Sequence, residues 1–355
     1  MVIGIDASRA EAQVKTGVER YSYELIRAMR ASLPQDAEVV LYSRVPLSPE
    51  LGPFDERWRN RVLRWPFKYF WSQLRLSWEM LRRPPDALFV PGHILPRIVP
   101  KRTVVTIHDA SFVGYPQFYS PRARAILMAG LKDACRRASA IVAPSKFTAE
   151  QLAPYRLTGI SVIPHGVAIA NSKRQQLNSK FGNYFVIVGR VEKKKNLAVA
   201  IDAFAKFAQR HPDFRLIFVG RPAFGFFDIQ DRIKDSGVVD RIEFTGPLPD
   251  EEMYRLVANA AALLHPCPIE GFGLPVIEAM ALGTPTIVAG AGAAAEAAGD
   301  AGLLAFPTSA DVWAEKMEHV LFDIFREPLI EKGLARAALF TWERSALKIW
   351  QVLAI

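Results

Sequence analysis

Short, almost continuously apolar runs recur along this chain, and stretches with helical spacing separate them. The runs of the first half are VIGID, AEVVLYS, DALFVP, TVVTIHD, SAIVAPS and ISVIPHG. Those of the second half are YFVIVGR, FRLIFVG, RIEFTG, AALLHP and PTIVA. Continuous rather than alternating hydrophobicity is typical of strands buried on both faces, and hence of parallel sheets whose strands are joined by helices. The pattern predicts an α/β protein with these runs as its strands.

The runs form two groups on either side of a polar stretch, AIANSKRQQLNSKFGN at 168–183. We interpret residues 171–183 as a linker between a first domain over 1–170 and a second domain over 184–340. Because strand and helix alternate in both groups, each domain is predicted to be a Rossmann-like αβα layer structure. Ligands bind beyond the carboxyl ends of the strands in such sheets, so two facing domains are expected to share one cleft.

Composition narrows the class of protein and its partners. The 355 residues include 45 basic and 36 acidic side chains, and the net charge of +9 favours nucleic acid, lipid or a phosphorylated substrate as partner. Cys135 and Cys267 form neither a disulfide framework nor a metal motif, which fits a reducing compartment. No apolar run is long enough to cross a bilayer, and no signal-peptide pattern is present. These features predict a soluble cytoplasmic protein.

The segment HPCPIEGFGLPVIEAMALGTPTIVA, residues 265–289, contains two carboxylates eight positions apart, Glu270 and Glu278. A glycine-rich turn separates them, and Pro275 suits the start of the helix predicted to follow, with Glu278 in its first turn. Free N–H groups at a helix start bind anions, while carboxylates accept hydrogen bonds from hydroxyl groups. The arrangement is typical of a site for a sugar–diphosphate–ribose ligand. The alternative is a helix whose acids only complement its dipole.

A second group of residues supplies positive charge. The run YFVIVG leads into GRVEKKKN, which places Arg190 at the end of a strand and Lys195 in the loop before the next helix. A guanidinium fork and an ammonium group can hold a diphosphate from two sides and stabilise it as a leaving group. Lys193 and Lys194 are interpreted as solvated loop charges. The alternative for the whole stretch is an ordinary basic surface loop.

Two histidines of the first half follow predicted strands. His108 stands beside Asp109 in VTIHDASF, and His165 follows the last strand of that half. A histidine at a strand end can bind a hydroxyl group or transfer a proton. We interpret His165 as structural and leave both a structural and a functional role open for His108. Gly17 opens a helix where the backbone can approach a ligand, although no Gly-x-Gly-x-x-Gly fingerprint is present.

The chain lacks several motifs that would point to other chemistry. It has no Asp-x-Asp metal pair, no Walker loop and no Gly-x-Ser-x-Gly elbow. No cluster of acidic residues in the sequence has the pattern of a catalytic metal site. We therefore expect no metal.

The stretch RWRNRVLRWPFKYFWSQLRLSWEMLRR, residues 57–83, combines eight basic side chains and one acid with many aromatic residues. A basic, aromatic amphipathic helix of this kind can lie on an anionic membrane surface. In the alternative interpretation, its aromatic side chains pack inside the first domain and its arginines face solvent. The two interpretations are compatible, and the sequence favours neither.

Segments spread over nearly the whole chain resemble the retaining nucleotide-sugar glycosyltransferases of the GT-B fold, family 4 (group 1). The segments are GVERYSYELI (17–26), TIHDASF (106–112), IVAPSKFTAEQL (141–152), VIPHGV (162–167), VGRVEKKKNL (188–197), FTGPLPDEEMYRLVANAAALLHP (244–266) and EGFGLPVIEAMALGTPTIV (270–288). The last is similar to the family's motif of two glutamates separated by seven residues. Together with Arg190 and Lys195 it makes the resemblance specific.

The resemblance implies a role for each matching residue. Glu270 is expected to bind a hydroxyl of the donor sugar and Glu278 the ribose hydroxyls, while Arg190 and Lys195 hold the diphosphate. The implied donor-binding residues are Gly17, Arg190, Lys195, Glu270, Gly271, Phe272, Gly273, Leu274 and Glu278. The implied catalytic residues are His108, Arg190, Lys195 and Glu270. His108 is expected to contact the sugar.

The resemblance also implies a fold and a reaction. Residues 341–355 are expected to form a helix that crosses back and completes the first domain. The enzyme is expected to move a hexose, with mannose from GDP-mannose as the favoured donor, and to keep the anomeric configuration without a metal ion or other cofactor. A saccharide or polyprenyl-linked saccharide is the expected acceptor, in the synthesis of bacterial surface polysaccharide such as lipopolysaccharide. The inner face of the cell membrane is then an expected location.

Two features depart from the family pattern. Residues 290–300, GAGAAAEAAGD, are unusually rich in alanine, although Glu296 keeps an acid there, and the glycine loop reads Thr-Gly rather than Gly-Gly.

Two other functions stay open. An epimerase or phosphorylase of the same fold is one alternative, since a fold does not determine a reaction. A non-enzymatic basic protein that binds nucleic acid is the other. No recognised nucleic-acid motif supports the second, and we expect no nucleic-acid partner.

Overall fold

The computed structural model describes residues 1–12, 17–67, 69–156, 158–167 and 181–354. The chain divides into two compact units, one formed by Met1–Ala168 with Thr341–Ile355 and the other by Ile169–Phe340. Each unit contains one sheet, and helices connect its strands. The predicted α/β class is therefore confirmed. Most of the predicted linker, 171–183, lies outside the described residues.

The first unit contains a seven-stranded sheet in the order β3-β2-β1-β4-β5-β6-β7, and all neighbouring strands are parallel. The strands are β1 (Val2–Asp6), β2 (Glu38–Ser43), β3 (Trp58–Val62), β4 (Ala87–Val90), β5 (Arg102–Thr106), β6 (Ala140–Ala143) and β7 (Ile160–Val162). The helices that follow them are α1 (Gly17–Ala31), α2 (Ser77–Arg82), α3 (Ser111–Gly114), α4 (Pro121–Arg137) and α5 (Lys146–Leu152). A π-helical turn, Trp71–Leu76, leads into α2.

The second unit contains a six-stranded parallel sheet in the order β10-β9-β8-β11-β12-β13. Its strands are β8 (Tyr184–Val188), β9 (Arg215–Val219), β10 (Ile242–Gly246), β11 (Ala262–His265), β12 (Thr286–Ala289) and β13 (Leu303–Ala305). Its helices are α6 (Leu197–Phe207), α7 (Phe226–Asp235), α8 (Asp250–Ala258), α9 (Leu274–Ala281), α10 (Ala293–Ala298), α11 (Ala310–His319) and α12 (Asp323–Ala337). Short 3₁₀ turns occur at Pro49–Leu51, Pro116–Phe118, Lys193–Lys195, Val239–Arg241 and Gly299–Ala301.

The strand order reverses once in each sheet. In the first sheet this happens between the neighbours β1 and β4, and in the second between β8 and β11. Loops that leave two such strands diverge to opposite sides, which opens a crevice beyond their carboxyl ends where ligands bind. The segments that directly follow β8 and β11 contain the two groups of residues that the sequence singled out, Arg190 to Lys195 and Glu270 to Glu278, the second group extending into α9.

Every apolar run predicted as a strand forms one. Most of them have buried central residues, as in β4 and β12, where every residue is buried, whereas the edge strands β7 and β10 are only partly buried. Two strands were not predicted. Strand β3 contains arginines at positions 59 and 61 and lies at the edge of its sheet, and β13 is only three residues long. The arginines of β3 interrupt the continuous hydrophobicity of a central strand, and β13, although apolar, is too short to stand out from its surroundings.

The helix predicted over 57–83 is wrong as a single element. Its first part is the edge strand β3, which pairs with β2, and helical structure begins only at Trp71. Pro66 lies between the two parts, and Phe70 has a left-handed φ of 67°, a conformation that does not continue a helix. Of the aromatic side chains, Trp58 and Trp71 are buried in the core.

The last helix, α13 (Trp342–Ala354), belongs to the core of the first unit. Its buried face, with Trp342, Ile349 and Trp350, joins the same cluster as β1 and α1. Ser345 donates a hydrogen bond to the carbonyl oxygen of Pro164 at 2.7 Å. Gly166 is required beside it, because a Cβ there would lie 2.2 Å from the backbone nitrogen of Trp342. The predicted return of the C-terminal helix to the first unit is confirmed.

Candidate active site

The turn between β11 and α9 shapes the candidate site of the second unit. Gly273 precedes α9 with a φ of 95°, which favours glycine, and a Cβ there would lie 2.8 Å from the Cα of Ala294 in α10. The turn therefore packs directly against the alanine-rich segment 290–300. Ala293, Ala294, Ala297 and Ala298 are buried in that segment. The departure from the family pattern thus has a packing reason, since larger side chains would push this turn away.

Glu270 lies in this turn, and a different group contacts each of its carboxylate oxygens. The ammonium nitrogen of Lys195 is 2.5 Å from Oε1, and Nε2 of His265 is 2.5 Å from Oε2. Burial would raise the pKa of Glu270, but the charges of Lys195 and His265 hold it well below its usual range. Glu270 is therefore a carboxylate at neutral pH, able to accept hydrogen bonds from hydroxyl groups but not to donate a proton.

Lys195 ends the 3₁₀ turn that follows β8. The next residue, Asn196, has a left-handed φ of 54°, and its side-chain amide donates to the carbonyl oxygens of Pro266 at 3.3 Å and Pro307 at 2.7 Å. These bonds fasten the loop after β8 to the loops after β11 and β13. Burial would lower the pKa of Lys195, but the charge of Glu270 outweighs it and raises that pKa. The ammonium group therefore stays charged.

Arg190 follows β8 and extends into solvent. Its side chain is 65% exposed, and one guanidinium nitrogen is 3.1 Å from the carboxylate of the buried Glu192. On the same loop, Lys193 pairs with Asp228 at 3.1 Å, and both of these side chains are exposed. Lys193 therefore fits the interpretation as a solvated loop charge. Arg190 keeps donors available to an incoming anion, since guanidinium offers five N–H groups.

Glu278 lies one residue beyond the first turn of α9, not within it as predicted. The helix begins only at Leu274, because the glycine turn extends through Gly273. Its side chain is buried, and the hydroxyl of Tyr254 in α8 donates a hydrogen bond to Oε1 at 3.1 Å. Tyr254 thus sets the orientation of the second carboxylate.

The remaining residues of the glycine turn have distinct environments. The ring of Phe272 is buried and packs edge-on against Phe340, with 5.7 Å between ring centroids. Gly271 adjoins Glu270, and Leu274 is the first residue of α9. In the first unit, Gly17 is exposed at the start of α1, where an added Cβ would meet no atom of the described residues within 4 Å.

His108 and His165 form a hydrogen-bonded pair in the first unit. Nε2 of His108 is 2.9 Å from the carbonyl oxygen of Pro91, and Nδ1 is 3.3 Å from Nε2 of His165. A carbonyl oxygen only accepts, so Nε2 of His108 bears the proton, and its Nδ1 accepts from His165. Both ring nitrogens of His108 are thus engaged within the unit. Asp109 accepts a bond from the backbone of Ser111 at 2.6 Å and so stabilises the adjacent turn.

Both histidines are uncharged in the folded protein. Burial lowers the pKa of His165 to about 3. Burial, with smaller contributions from His93 and His165, holds the pKa of His108 well below its usual range. The ring of His165 stacks on Trp342, with 6.2 Å between centroids. His165 fits its structural interpretation, and contact between His108 and a sugar stays a prediction.

Two residues that orient the carboxylates were missed in the sequence. His265 offers one signal, because a polar side chain at the end of a buried strand needs a partner. Tyr254 offers none, since its contact with Glu278 arises only from the packing of α8 near α9. In the part of the chain that the structure describes, no group of three or more histidine, cysteine or acidic side chains is arranged to hold a metal ion. No helix there is long and apolar enough to cross a membrane.

Two family models match consecutive parts of this chain. Residues 15–171 match glycosyltransferase family 4, and residues 169–335 match the glycosyl transferases of group 1. The chain belongs to the family 4, group 1 glycosyltransferases. The O-antigen chain mannosyltransferase B of Escherichia coli is 29% identical over 289 residues, which are 76% of this chain and 74% of that protein.

Solved structures of glycosyltransferases share the fold of this family member. Sucrose-phosphate synthase from Thermosynechococcus elongatus superimposes with a TM-score of 0.77 at 21% identity, over 100% of this chain and 98% of that chain. Anabaena HepE in complex with UDP and glucose superimposes with a TM-score of 0.72 at 20% identity, over 99% of both chains. The predicted GT-B fold is confirmed.

The buried histidines of this glycosyltransferase predict how its stability depends on pH. The pKa of His165 is about 3 when folded, against an ordinary value of 6.5, so the unfolded chain binds more protons between these pH values. Stability is therefore lost as the pH falls from about 6.5 towards 3, by up to about 1.4 kcal/mol per pH unit for one such group. His165→Phe is expected to make this loss shallower in urea unfolding at pH 7 and pH 5.

Trp342→Phe is the matched control for this measurement. It alters the same packing but removes no titrating group, so the loss of stability between pH 7 and pH 5 is expected to equal that of the wild type. Equal losses in the wild type and His165→Phe would contradict the assignment of a buried neutral histidine.

Proposed function

We propose that this glycosyltransferase moves a hexose, mannose from GDP-mannose, onto a saccharide or polyprenyl-linked saccharide during synthesis of bacterial surface polysaccharide. The observation that carries the proposal is the Lys195–Glu270 pair at the reversal point of the second sheet. An ammonium group and a carboxylate that is ionised at neutral pH, side by side, match the phosphate and the hydroxyl groups of a nucleotide sugar. The similarity to an O-antigen mannosyltransferase supports mannose, and the fold shared with an enzyme that holds UDP and glucose supports a nucleotide sugar.

In this proposal the donor binds through its charge and its hydroxyl groups. Lys195 and Arg190 contact the diphosphate, and the N–H groups at the start of α9 assist them. Glu270 accepts a hydrogen bond from the sugar, and Glu278, oriented by Tyr254, accepts bonds from the ribose. Gly17 approaches the phosphates from the first unit. Because Lys195 stays charged, the diphosphate leaves against fixed positive charge, and we propose that no divalent ion is needed.

We propose that transfer retains the anomeric configuration without a covalent intermediate. The bond between the anomeric carbon and the diphosphate oxygen breaks, and the acceptor oxygen bonds to the same face of that carbon. The acceptor's proton passes to the departing diphosphate oxygen. A covalent route would require a carboxylate nucleophile under the sugar. Lys195 and His265 contact both oxygens of Glu270, which supports a binding role for it.

His108 would orient the sugar in this scheme without acting as an obligatory base. Its low pKa keeps the ring neutral, and Pro91 and His165 hold both of its nitrogens. An orienting contact lowers the barrier by holding the reacting groups in place. His108→Ala is therefore expected to lower the rate markedly while leaving some activity.

The donor site is tested by substitutions on both sides of the ligand. Arg190→Ala and Glu278→Ala are each expected to reduce turnover about 100-fold, because each removes a charge-assisted contact worth about 2–3 kcal/mol. Lys193→Ala is the matched control on the same loop and is expected to act like the wild type, since Lys193 pairs with Asp228 in solvent. The measurement is transfer from GDP-mannose and UDP-glucose with EDTA present, with the product anomer read by NMR.

Several results would contradict this proposal. Wild-type turnover in both Arg190→Ala and Glu278→Ala would contradict the assignment of the donor site. Loss of activity in EDTA that magnesium restores would contradict the proposed independence of metal ions. An inverted product would overturn retention. Thermal shifts with nucleotide sugars but no transfer would favour an epimerase or phosphorylase, because ligands that bind the folded state raise its melting temperature. Salt-sensitive binding of polynucleotides without any effect of nucleotide sugars would favour the nucleic-acid function.

We propose in addition that the protein binds the inner face of the cell membrane peripherally. Six large apolar side chains between residues 67 and 81 are each 49–68% exposed: Phe67, Tyr69, Phe70, Leu74, Trp78 and Leu81. Exposed arginines accompany them at positions 64, 82 and 83, and the Arg82 guanidinium lies 5.9 Å from the Trp78 ring centroid. An apolar face bordered by cations matches a bilayer with anionic lipid headgroups.

Vesicle sedimentation tests this proposal. The full-length protein is expected to pellet with phosphatidylglycerol vesicles, to be released at high salt, and to pellet much less with phosphatidylcholine. The double variant Phe67→Ser/Trp78→Ser is expected to bind at least about 10-fold more weakly, because it removes two apolar groups from the bilayer. Phe227→Ser, at a phenylalanine that is 77% exposed in the second unit, is the control. Equal binding by the wild type and the double variant would contradict the proposal.

A further inference from the structure

His265 is a buried polar residue at the carboxyl end of β11. Its side chain is only 3% exposed, and Nε2 is 2.5 Å from Oε2 of Glu270. Among the residues that the structure describes, neither atom makes a contact that meets hydrogen-bond geometry, so the short ion-pair contact holds the two together. A buried polar atom without a partner costs about 1–3 kcal/mol, so each of these two atoms depends on the other.

The two oxygens of Glu270 differ in how firmly the side chains that contact them are held in place. Oε2 faces His265, which is held in the sheet by its place in β11. Oε1 faces Lys195, which lies at the end of a flexible four-carbon side chain on the loop after β8. A diphosphate carries more charge than one carboxylate and attracts Lys195 more strongly. When Lys195 turns to it, Oε1 loses its partner and Oε2 keeps its own.

We propose that His265 is a positioning residue that holds Glu270 by Oε2, so that Oε1 is presented to a hydroxyl of the donor sugar when Lys195 moves to the diphosphate. The inference rests on the proposed function, and it concerns how that site discriminates a nucleotide sugar from a nucleotide. Lys195 contacts Oε1 of Glu270 before the donor binds, and the sugar hydroxyl contacts the same oxygen afterwards. The diphosphate and the sugar thus bind cooperatively through one carboxylate.

The role of His265 follows from what its removal would do. Without the imidazole, Oε2 would be buried with no donor, and Glu270 would rotate to find one. Lys195 alone would then hold the carboxylate, and that contact is lost when the diphosphate binds. The expected defect is therefore confined to the sugar end of the donor. Contacts with the diphosphate, which do not involve His265, should persist.

Two substitutions at His265 separate positioning from packing. His265→Leu keeps a similar volume but removes the N–H group, and it is expected to lower kcat about 100-fold, as displacement of a binding group by about 1 Å does. His265→Gln places an amide N–H close to the position of Nε2 and is expected to restore most of this loss. The affinity for GDP, measured by calorimetry, is expected to stay within about 2-fold in both variants, while GDP-mannose binds His265→Leu more weakly.

A double variant adds a readout that a structural role would not produce. If His265 acts only through Glu270, His265→Leu/Glu270→Ala is expected to be no slower than Glu270→Ala alone. Melting temperatures of all variants accompany the kinetics. UDP and UDP-glucose replace GDP and GDP-mannose if the wild type uses uridine donors.

The possible outcomes distinguish a failure of the positioning role of His265 from a failure of the proposed transferase function. A wild type that neither binds nor transfers from either nucleotide sugar overturns the proposed function and the inference with it. Normal turnover by His265→Leu in an active wild-type background overturns the inference alone. So does an equal loss of GDP and GDP-mannose affinity with a lowered melting temperature, or a double variant that is slower than Glu270→Ala.

Discussion

Shielding of the Glu270 carboxylate, whose Oε2 is buried although the side chain is 22% exposed, is the constraint on which the second unit's site depends. A carboxylate removed from water is stable only beside positive charge or hydrogen-bond donors. Here Lys195 and His265 supply them, from the ends of the neighbouring strands β8 and β11. The amide of Asn196 ties the same two loops, and the glycine turn places Glu270 between them. The negative charge of Glu270 thus requires the loops after β8 and β11 to meet where the strand order reverses.

The same constraint links stability to ligand binding. With no donor bound, the charge of Lys195 is balanced by Glu270. In the proposed donor complex, a diphosphate would compete for that ammonium group, and a sugar hydroxyl would satisfy the released carboxylate oxygen. The proposed site would therefore exchange one set of buried partners for another without leaving a buried group unpaired. Glu278 and Tyr254 repeat the arrangement of a carboxylate oriented by a neighbouring donor.

The parts of this protein that could be predicted are those encoded by local pattern. Strands buried on both faces have continuous apolar runs, and Lys195 and Glu270 stand in recognisable motifs. Strand β3 could not be predicted because its edge position lets arginines 59 and 61 interrupt the pattern. Contacts between distant residues were also hidden. Lys195 and Glu270 are 75 positions apart, and nothing in the sequence shows that His265 faces Glu270 or that Pro91 accepts a hydrogen bond from His108.

We propose that Lys195 passes from Glu270 to the diphosphate while His265 stays in contact with Oε2. A crystal structure of the full chain with GDP or UDP bound would show this exchange. The distance between Nζ of Lys195 and Oε1 of Glu270, 2.5 Å here, is expected to lengthen beyond hydrogen-bonding range as Nζ contacts a phosphate oxygen. His265 should remain within hydrogen-bonding distance of Oε2. A bound nucleotide with Lys195 still on Glu270, or with Glu270 turned away from His265, would contradict the exchange of partners.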